Sequence, residues 1–224
     1  MAALPALQIE SLRYRYPGSR EAVVDVASLR LDAGEQALLT GGSGSGKSTL
    51  LHLIAGLTEP TTGTVRVAGT DIHAVTGAAR DKFRGQRIGL IFQTHQLLMG
   101  FSALENVELA LAFTSVPPRE HTDKAKALLE RLGIERIHAA PEDLSVGQQQ
   151  RVAVARALVV EPALVLADEP TASLDPENAV TAVDLIQEVC REKKAALLMV
   201  SHDPSLKDRF ETVHVLDRLA GVNA

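Results

Sequence analysis

Tryptophan is absent from the 224 residues, and the whole aromatic share is only 3%. That leaves little from which to build the stacking platforms that hold single-stranded nucleic acid. Basic charge is short as well: 23 Lys and Arg stand against 28 Asp and Glu, a formal net charge of −5. A chain with this balance has no broad cationic face to displace counterions from DNA or RNA, so nucleic acid is not expected as its main partner. There is one cysteine, Cys190, which excludes an internal disulfide and suits a reducing compartment. The first residues, Met1-Ala2-Ala3-Leu4-Pro5, lack the basic start and apolar core of a secretion signal. Apolar stretches such as Leu164–Ala167 and Ala195–Val200 have the length of buried strands, well short of a bilayer span, so direct membrane insertion is not expected either. Apolar residues are not scarce. At 46% they supply a sizeable core and argue against disorder.

The glycine that is present is concentrated where it carries chemistry. Gly41-Gly42-Ser43-Gly44-Ser45-Gly46-Lys47-Ser48 fits the spacing G-x-x-x-x-G-K-[ST], after the apolar run Ala37-Leu38-Leu39 and before the helix-like stretch Leu50–Ala55. Residues without side chains let backbone N–H groups wrap a polyphosphate, and a helix start adds unpaired donors and partial positive charge. Lys47 is expected to reach the β- and γ-phosphates, the Ser48 hydroxyl to bind Mg²⁺, and Thr49 to complete the nucleotide-contacting run. A flexible glycine-serine turn would have no need of Lys-Ser at its end. Further on, Asp168-Glu169 closes the apolar run Ala163–Ala167, which suits a strand buried on both faces of a parallel sheet. Two adjacent carboxylates there are costly unless something positive lies nearby, and a nucleotide-bound Mg²⁺ supplies it. Because successive strand side chains point to opposite sides, Asp168 is expected to hold Mg²⁺ while Glu169 orients or deprotonates the attacking water. Taken alone, Asp-Glu-Pro also reads as a solvated strand exit.

With Leu144-Ser145-Val146-Gly147-Gln148-Gln149-Gln150-Arg151, Asp168-Glu169-Pro170-Thr171, Ser173-Leu174-Asp175 and Ser201-His202-Asp203 added in that order, the chain resembles an ABC transporter ATPase subunit over residues 7 to 217. The resemblance implies a P-loop NTPase α/β fold: a RecA-like parallel core with an antiparallel β subdomain (1–94 and 159–224) and a helical subdomain (95–158). It implies ATP hydrolysis at a pocket shared by two copies, with Ser145, the Gly147 N–H and Gln148 capping the γ-phosphate held by the partner. Gln93 is expected to sense Mg²⁺ and the water and to connect to the helical lobe. His202 is expected to contact the γ-phosphate and hold Glu169 in place, together with the partner's Asp175 loop. Tyr16, rather than Tyr14, takes the place of the adenine-stacking aromatic. The second partner implied is a membrane-spanning permease, with one of its helices in a groove near Leu97–Glu108, on the cytoplasmic side of a bacterial inner membrane. One residue departs from the common pattern: Val146 stands where glycine is usual. A β-branched residue resists positive φ, so this position is expected in ordinary backbone or under strain.

The remaining sequence agrees with that layout. Alternation at Leu7, Ile9 and at Val65, Val67 predicts edge strands over 7–13 and 63–67. Residues 36–57, 86–93 and 145–217 alternate apolar runs with helical segments, the pattern of a parallel α/β core. Residues 95–144 turn helical, with Ala125, Leu128, Leu129 and Leu132 on one face and Gly133 as the stop. Asp175-Pro176 is a good helix start, and Cys190 falls with Val183 and Ile186 on an apolar face. Taken singly, Gln93 reads more readily as a surface amide at a strand end and His202 as a satisfied histidine beside a turn. Rival classes fit less well. A chromosome or repair ATPase would split the motifs with a long coiled coil, and no sustained heptads lie between Lys47 and Ser145. A translation factor would carry two such domains. Within the family, Leu97–Val107 and the Gln148-Gln149-Gln150-Arg151 run are similar to subunits of the lipoprotein-releasing and macrolide-efflux type. Mechanical signalling in the cell envelope stays open as a use of the same stroke.

Overall fold

The computed structural model describes residues 4–19, 21–42, 44–172 and 174–220. Five strands form a parallel sheet: β3 (Gln36–Thr40), β6 (Ile88–Ile91), β7 (Leu164–Asp168), β8 (Ala196–Val200) and β9 (Thr212–Val215), in the order β6-β7-β8-β3-β9. All of β8 is buried, as is β7 up to its last residue, which is why these segments are continuously apolar. Their alternate residues feed two separate cores. Val165, Ala167, Leu197 and Met199 face one, and Leu164, Leu166, Ala196, Leu198 and Val200 face the other.

The first core is covered by helices α3 (Ala103–Leu111), α4 (His121–Arg131), α5 (Val146–Leu158) and α6 (Pro176–Lys193). The α4 stripe is as expected: Ala125, Leu128, Leu129 and Leu132 are buried, and Gly133 ends the turn at φ 69°. Asp175 caps α6 by accepting from the Asn178 N–H at 3.1 Å, and Cys190 lies fully buried on the inner face. The segment 95–144 is less helical than its composition suggests. Between Gln96 and Ala103, and again from Leu132 to Ser145, it is turn and 3₁₀ structure. Asn106 is part of the reason. Fully buried, it accepts from the Leu98 N–H and donates to the carbonyls of Leu98, Phe101 and Ser102, fixing the loop before α3.

The second core holds helix α1 (Lys47–Ile54) and an antiparallel sheet of β1 (Leu7–Tyr14), β2 (Val24–Leu31), β4 (Thr62–Val67) and β5 (Thr70–Asp71), in the order β2-β1-β4-β5. The predicted strands are β1 and β4. The alternation of β1 breaks at a bulge: Ser11 takes φ 50° and the register with β4 shifts between Glu10 and Arg13, so the buried set is Leu7, Ile9 and then Leu12. Helix α2 (Gly77–Arg87) buries none of its residues and carries no apolar stripe that would announce it. Among the described residues no helix is long and apolar enough to cross a membrane.

Candidate functional site

Parallel strands bring their C-terminal ends to one edge of the sheet, the usual place for a ligand in this architecture. Here four adjacent strands deliver four of the motifs side by side. Gln93 follows β6, Glu169 follows β7, Ser201-His202 follows β8, and the glycine loop follows β3. The cleft between them, about 880 Å³, is lined by Tyr16, Val23, Gly41, Gly42, Gly44, Gly46, Lys47, Ser48, Thr49, Gln93, Glu169 and His202. Of the nucleotide-contacting residues predicted from the sequence, Tyr16, the glycine loop with Lys47, Ser48 and Thr49, and Gln93 therefore converge on one pocket. Ser43 and Ser173 lie outside the described residues.

The loop is shaped by its glycines. Gly46 is the N-cap of α1 at φ 95°, and a Cβ there would lie 2.4 Å from the Val23 carbonyl oxygen. Lys47 is almost completely buried, and its Nζ donates to the carbonyls of Gly41 (3.0 Å) and Gly42 (2.7 Å), folded back along the loop it serves. The Ser45 Oγ beside it is buried without a partner. Tyr16, half exposed at 48%, shares a hydrogen bond with the Thr49 hydroxyl at 3.0 Å and stands edge-on to Tyr14, their ring centroids 5.0 Å apart. Tyr16 lines the cleft and Tyr14 backs it.

The carboxylate pair is arranged differently from the pleat argument. Asp168 is the last residue of β7, but Glu169 has already left the strand at φ 46°. A change of backbone region, not strand alternation, sends the two side chains apart. Left-handed backbone is uncommon and strained for a glutamate. The end of β8 holds it there. The Glu169 N–H donates to the Val200 carbonyl (3.0 Å), Ser201 Oγ donates to Oε2 (3.3 Å), and His202 Nδ1 donates to Oε1 (2.8 Å). The buried Ser201 hydroxyl is itself fixed by the Asp203 N–H at 3.1 Å. Ser201 is thus a functional neighbour that the sequence offers no means of assigning; its only signal is adjacency to His202. The inner acid, Asp168, keeps a buried Oδ1 with no hydrogen-bond partner. Such an atom is costly unless a cation meets it.

Ser145, Gly147 and Gln148 are not in this cleft. They open α5, whose N-terminus forms a capping box: Ser145 Oγ accepts from the Gln148 N–H (3.3 Å), and Gln148 Oε1 accepts from the Ser145 N–H (2.9 Å). The S-x-x-Q spacing announces that box, and it gives both side chains a structural role beside any role toward phosphate. Val146 is the first helical residue, has ordinary backbone and is 46% exposed, so the substitution of glycine brings no strain. Apart from its own helix backbone and chain neighbours, nothing among the described residues lies within 4 Å of where a Gly147 Cβ would be. The glycine is not demanded by this chain's own packing.

The helix beginning at Ser145 is tied to the cleft from behind. Gln150 donates to the Pro170 carbonyl at 2.6 Å, next to Glu169. Arg156 reaches the loop that follows Gln93, where His95 is buried, and burial pushes the His95 imidazole below its ordinary pKa. A groove of about 580 Å³ opens beside this loop, with Phe92, Gln96, Ala110, Phe113 and Arg156 among its walls.

Comparison with known proteins agrees with this geometry. Residues 24–172 match the family described as ABC transporter. The chain is 43% identical over 204 residues to the lipoprotein-releasing system ATP-binding protein LolD of Hydrogenovibrio crunogenus, covering 91% of this chain and 89% of that one. It is 44% identical over 183 residues to the ABC transporter ATP-binding protein YtrE of Bacillus subtilis, covering 81% and 79%. Among solved structures it is similar to the dimeric ATP-binding cassette MJ0796 in a post-hydrolysis state with ADP and Pi. That likeness has TM-score 0.83 and 32% identity and covers 94% of each chain.

Proposed function

Since the chain belongs to the ABC transporter family as an ATP-binding and ATP-hydrolysing subunit, we propose that two copies clamp ATP between them and drive a membrane-spanning permease. The convergence of Lys47, Ser48, Gln93, Glu169 and His202 on one cleft, with Ser145 exposed outside it, carries this reading. In each pocket the cationic Lys47 exchanges the Gly41 and Gly42 carbonyls for β- and γ-phosphate oxygens, and Tyr16 stacks on the adenine. Glu169, held at both oxygens, orients or deprotonates the water. His202 steadies it through Nδ1, which leaves Nε2 for the γ-phosphate. Ser48, Gln93 and Asp168 offer only oxygen donors to a cation, and the unpartnered Asp168 Oδ1 fits Mg²⁺. When bound, that ion neutralises charge on the phosphate oxygens.

The other half of each pocket comes from the second copy. Ser145, Gly147 and Gln148 present a helix N-terminus, with a glycine whose smallness only an outside group requires. ATP then favours the closed pair by the contacts available there alone, and hydrolysis removes them. Residues 95–158 act as a helical lobe turning about Gln93 against a core of 1–94 and 159–224. The groove near Leu97–Glu108 takes a helix of the permease, and the exposed Leu98, Met99, Phe101 and Phe113 give it an apolar rim. Likeness to LolD favours a lipoprotein-release or efflux-type complex at the cytoplasmic face of a bacterial inner membrane. A Met99→Glu/Phe113→Glu double variant is expected to leave the membrane fraction, with its ATP affinity within about threefold of the parent, since both side chains are already solvated. Retention of that variant on membranes would contradict the docking site.

A further inference from the structure

Two consecutive residues just after Gln93 have left-handed backbone without being glycine: His95 at φ 54° and Gln96 at φ 47°. A strained pair of this kind persists only where its surroundings impose it. The His95 and Gln96 N–H groups turn back to the Phe92 and Thr94 carbonyls, and one side chain from outside the loop holds the carbonyls of both. Arg156 donates from one terminal nitrogen to the Gln96 carbonyl (2.6 Å) and from the other to the His95 carbonyl (2.7 Å), so a single guanidinium spans both strained residues. Among the described residues no carboxylate pairs with it; its half-buried charge is met by these two carbonyls. Seven residues earlier on the same face of α5, Gln149 donates to the carbonyls of Pro141 (2.9 Å) and Leu144 (3.1 Å), which fixes the start of that helix.

The position of this contact gives it a consequence. Arg156 stands on the helix that opens with Ser145, while the loop it grips begins at Gln93 in the chain's own cleft. We infer that Arg156 is a positioning residue that latches the Gln93 loop to helix α5, so that nucleotide sensed in one cleft sets the placement of the Ser145 end offered to the partner. A fork of two donors can hold two successive carbonyls in fixed directions; a lysine point charge cannot. Loss of the latch frees His95 and Gln96 to return to ordinary backbone, and Gln93 is no longer registered against Ser145. This rests on the two-copy reading above.

The test separates the latch from that reading. ATP affinity is measured with a fluorescent ATP analogue on dilute protein, and dimer formation by sedimentation in ATP-Mg²⁺, all in a Glu169→Gln parent. Arg156→Lys and Arg156→Gln should bind nucleotide within about threefold of the parent but dimerise about tenfold more weakly, the scale of one strained residue released. Gln96→Val should do the same from the loop side, because a β-branched residue resists positive φ. Its position is exposed, so folding is spared even if Arg156 variants fold poorly. Adding Gln96→Gly to Arg156→Gln should restore part of the dimer, since glycine adopts that backbone without help; a purely packing role for Arg156 predicts no such rescue. Parental dimerisation in both Arg156→Lys and Gln96→Val would overturn the latch. If the Glu169→Gln parent itself stays monomeric, the two-copy reading falls and the latch falls with it.

Discussion

Glu169→Gln is expected to bind ATP as the parent does, to hydrolyse it about 10²–10⁴-fold more slowly, and to accumulate as an ATP-bound dimer. The amide has the carboxylate's shape, so Ser201 and the Val200 carbonyl keep their contacts, and the left-handed backbone at Glu169 has no reason to relax. What the variant loses is a base toward water and an ionic partner for His202. The phosphate loop and the Ser145 helix start are untouched, so the contacts that favour the closed pair survive while the step that dissolves it does not. Turnover and sedimentation in ATP-Mg²⁺ read the two halves separately. A variant that stays monomeric at saturating ATP and hydrolyses at the parental rate would show that Glu169 is not the residue that acts on water.

Gly46→Ala should nearly abolish nucleotide binding while leaving the circular dichroism spectrum close to the parent's. An alanine at φ 95° lies outside the backbone regions open to it, and its Cβ would fall 2.4 Å from the Val23 carbonyl oxygen and 3.1 Å from Val23 Cγ1. Unfavourable backbone and overpacking together cost about 2–5 kcal/mol, and if the loop yields instead of Val23, ATP affinity falls by about 30-fold or more. The loop has little choice. Val23 donates its N–H to the Tyr14 carbonyl and leads directly into β2, whose pairing with β1 begins at Val24, whereas the loop carbonyls of Gly41 and Gly42 are held by the Lys47 ammonium, which exchanges them for phosphate. Isothermal titration with ATP-Mg²⁺ checks this. Affinity within threefold of the parent would mean that the N-cap at Gly46 does not set the loop's shape.

Sequence and structure agree best where chemistry or double-sided burial constrains the residues tightly. The glycine loop, Asp168-Glu169 and His202 were legible because few other arrangements use those residue types in that order. Strands β7 and β8 were legible because burial on both faces leaves an uninterrupted apolar run. Helix α4 showed its stripe and its stop. Helix α2 had nothing to show, since none of its residues is buried. In β1 the extent was legible to within one residue, but the bulge at Ser11 shifts the phase of the pattern, so the apolar alternation of Leu7 and Ile9 resumes at Leu12 instead of Ser11. The loop from Gln93 to Ser102 is irregular because Arg156 and Asn106 hold its carbonyls from a distance in sequence, and no local pattern reports such contacts. Glu169 carries the same lesson. Strand alternation would send the two acids to opposite faces, but the molecule separates them by a left-handed residue pinned from β8.

The most direct measurement mixes two inactive chains. Lys47→Ala removes the phosphate cation, while Ser145→Asp keeps a good helix cap for α5 but turns a negative charge toward the neighbour's phosphate. Each alone should be nearly inert. In a hybrid pair, one pocket unites the intact Lys47 of one chain with the intact Ser145 of the other, and an equal mixture should recover roughly a quarter of parental ATP turnover. A mixture that hydrolyses no faster than the mean of the two separate variants would contradict an ATP site built from two copies.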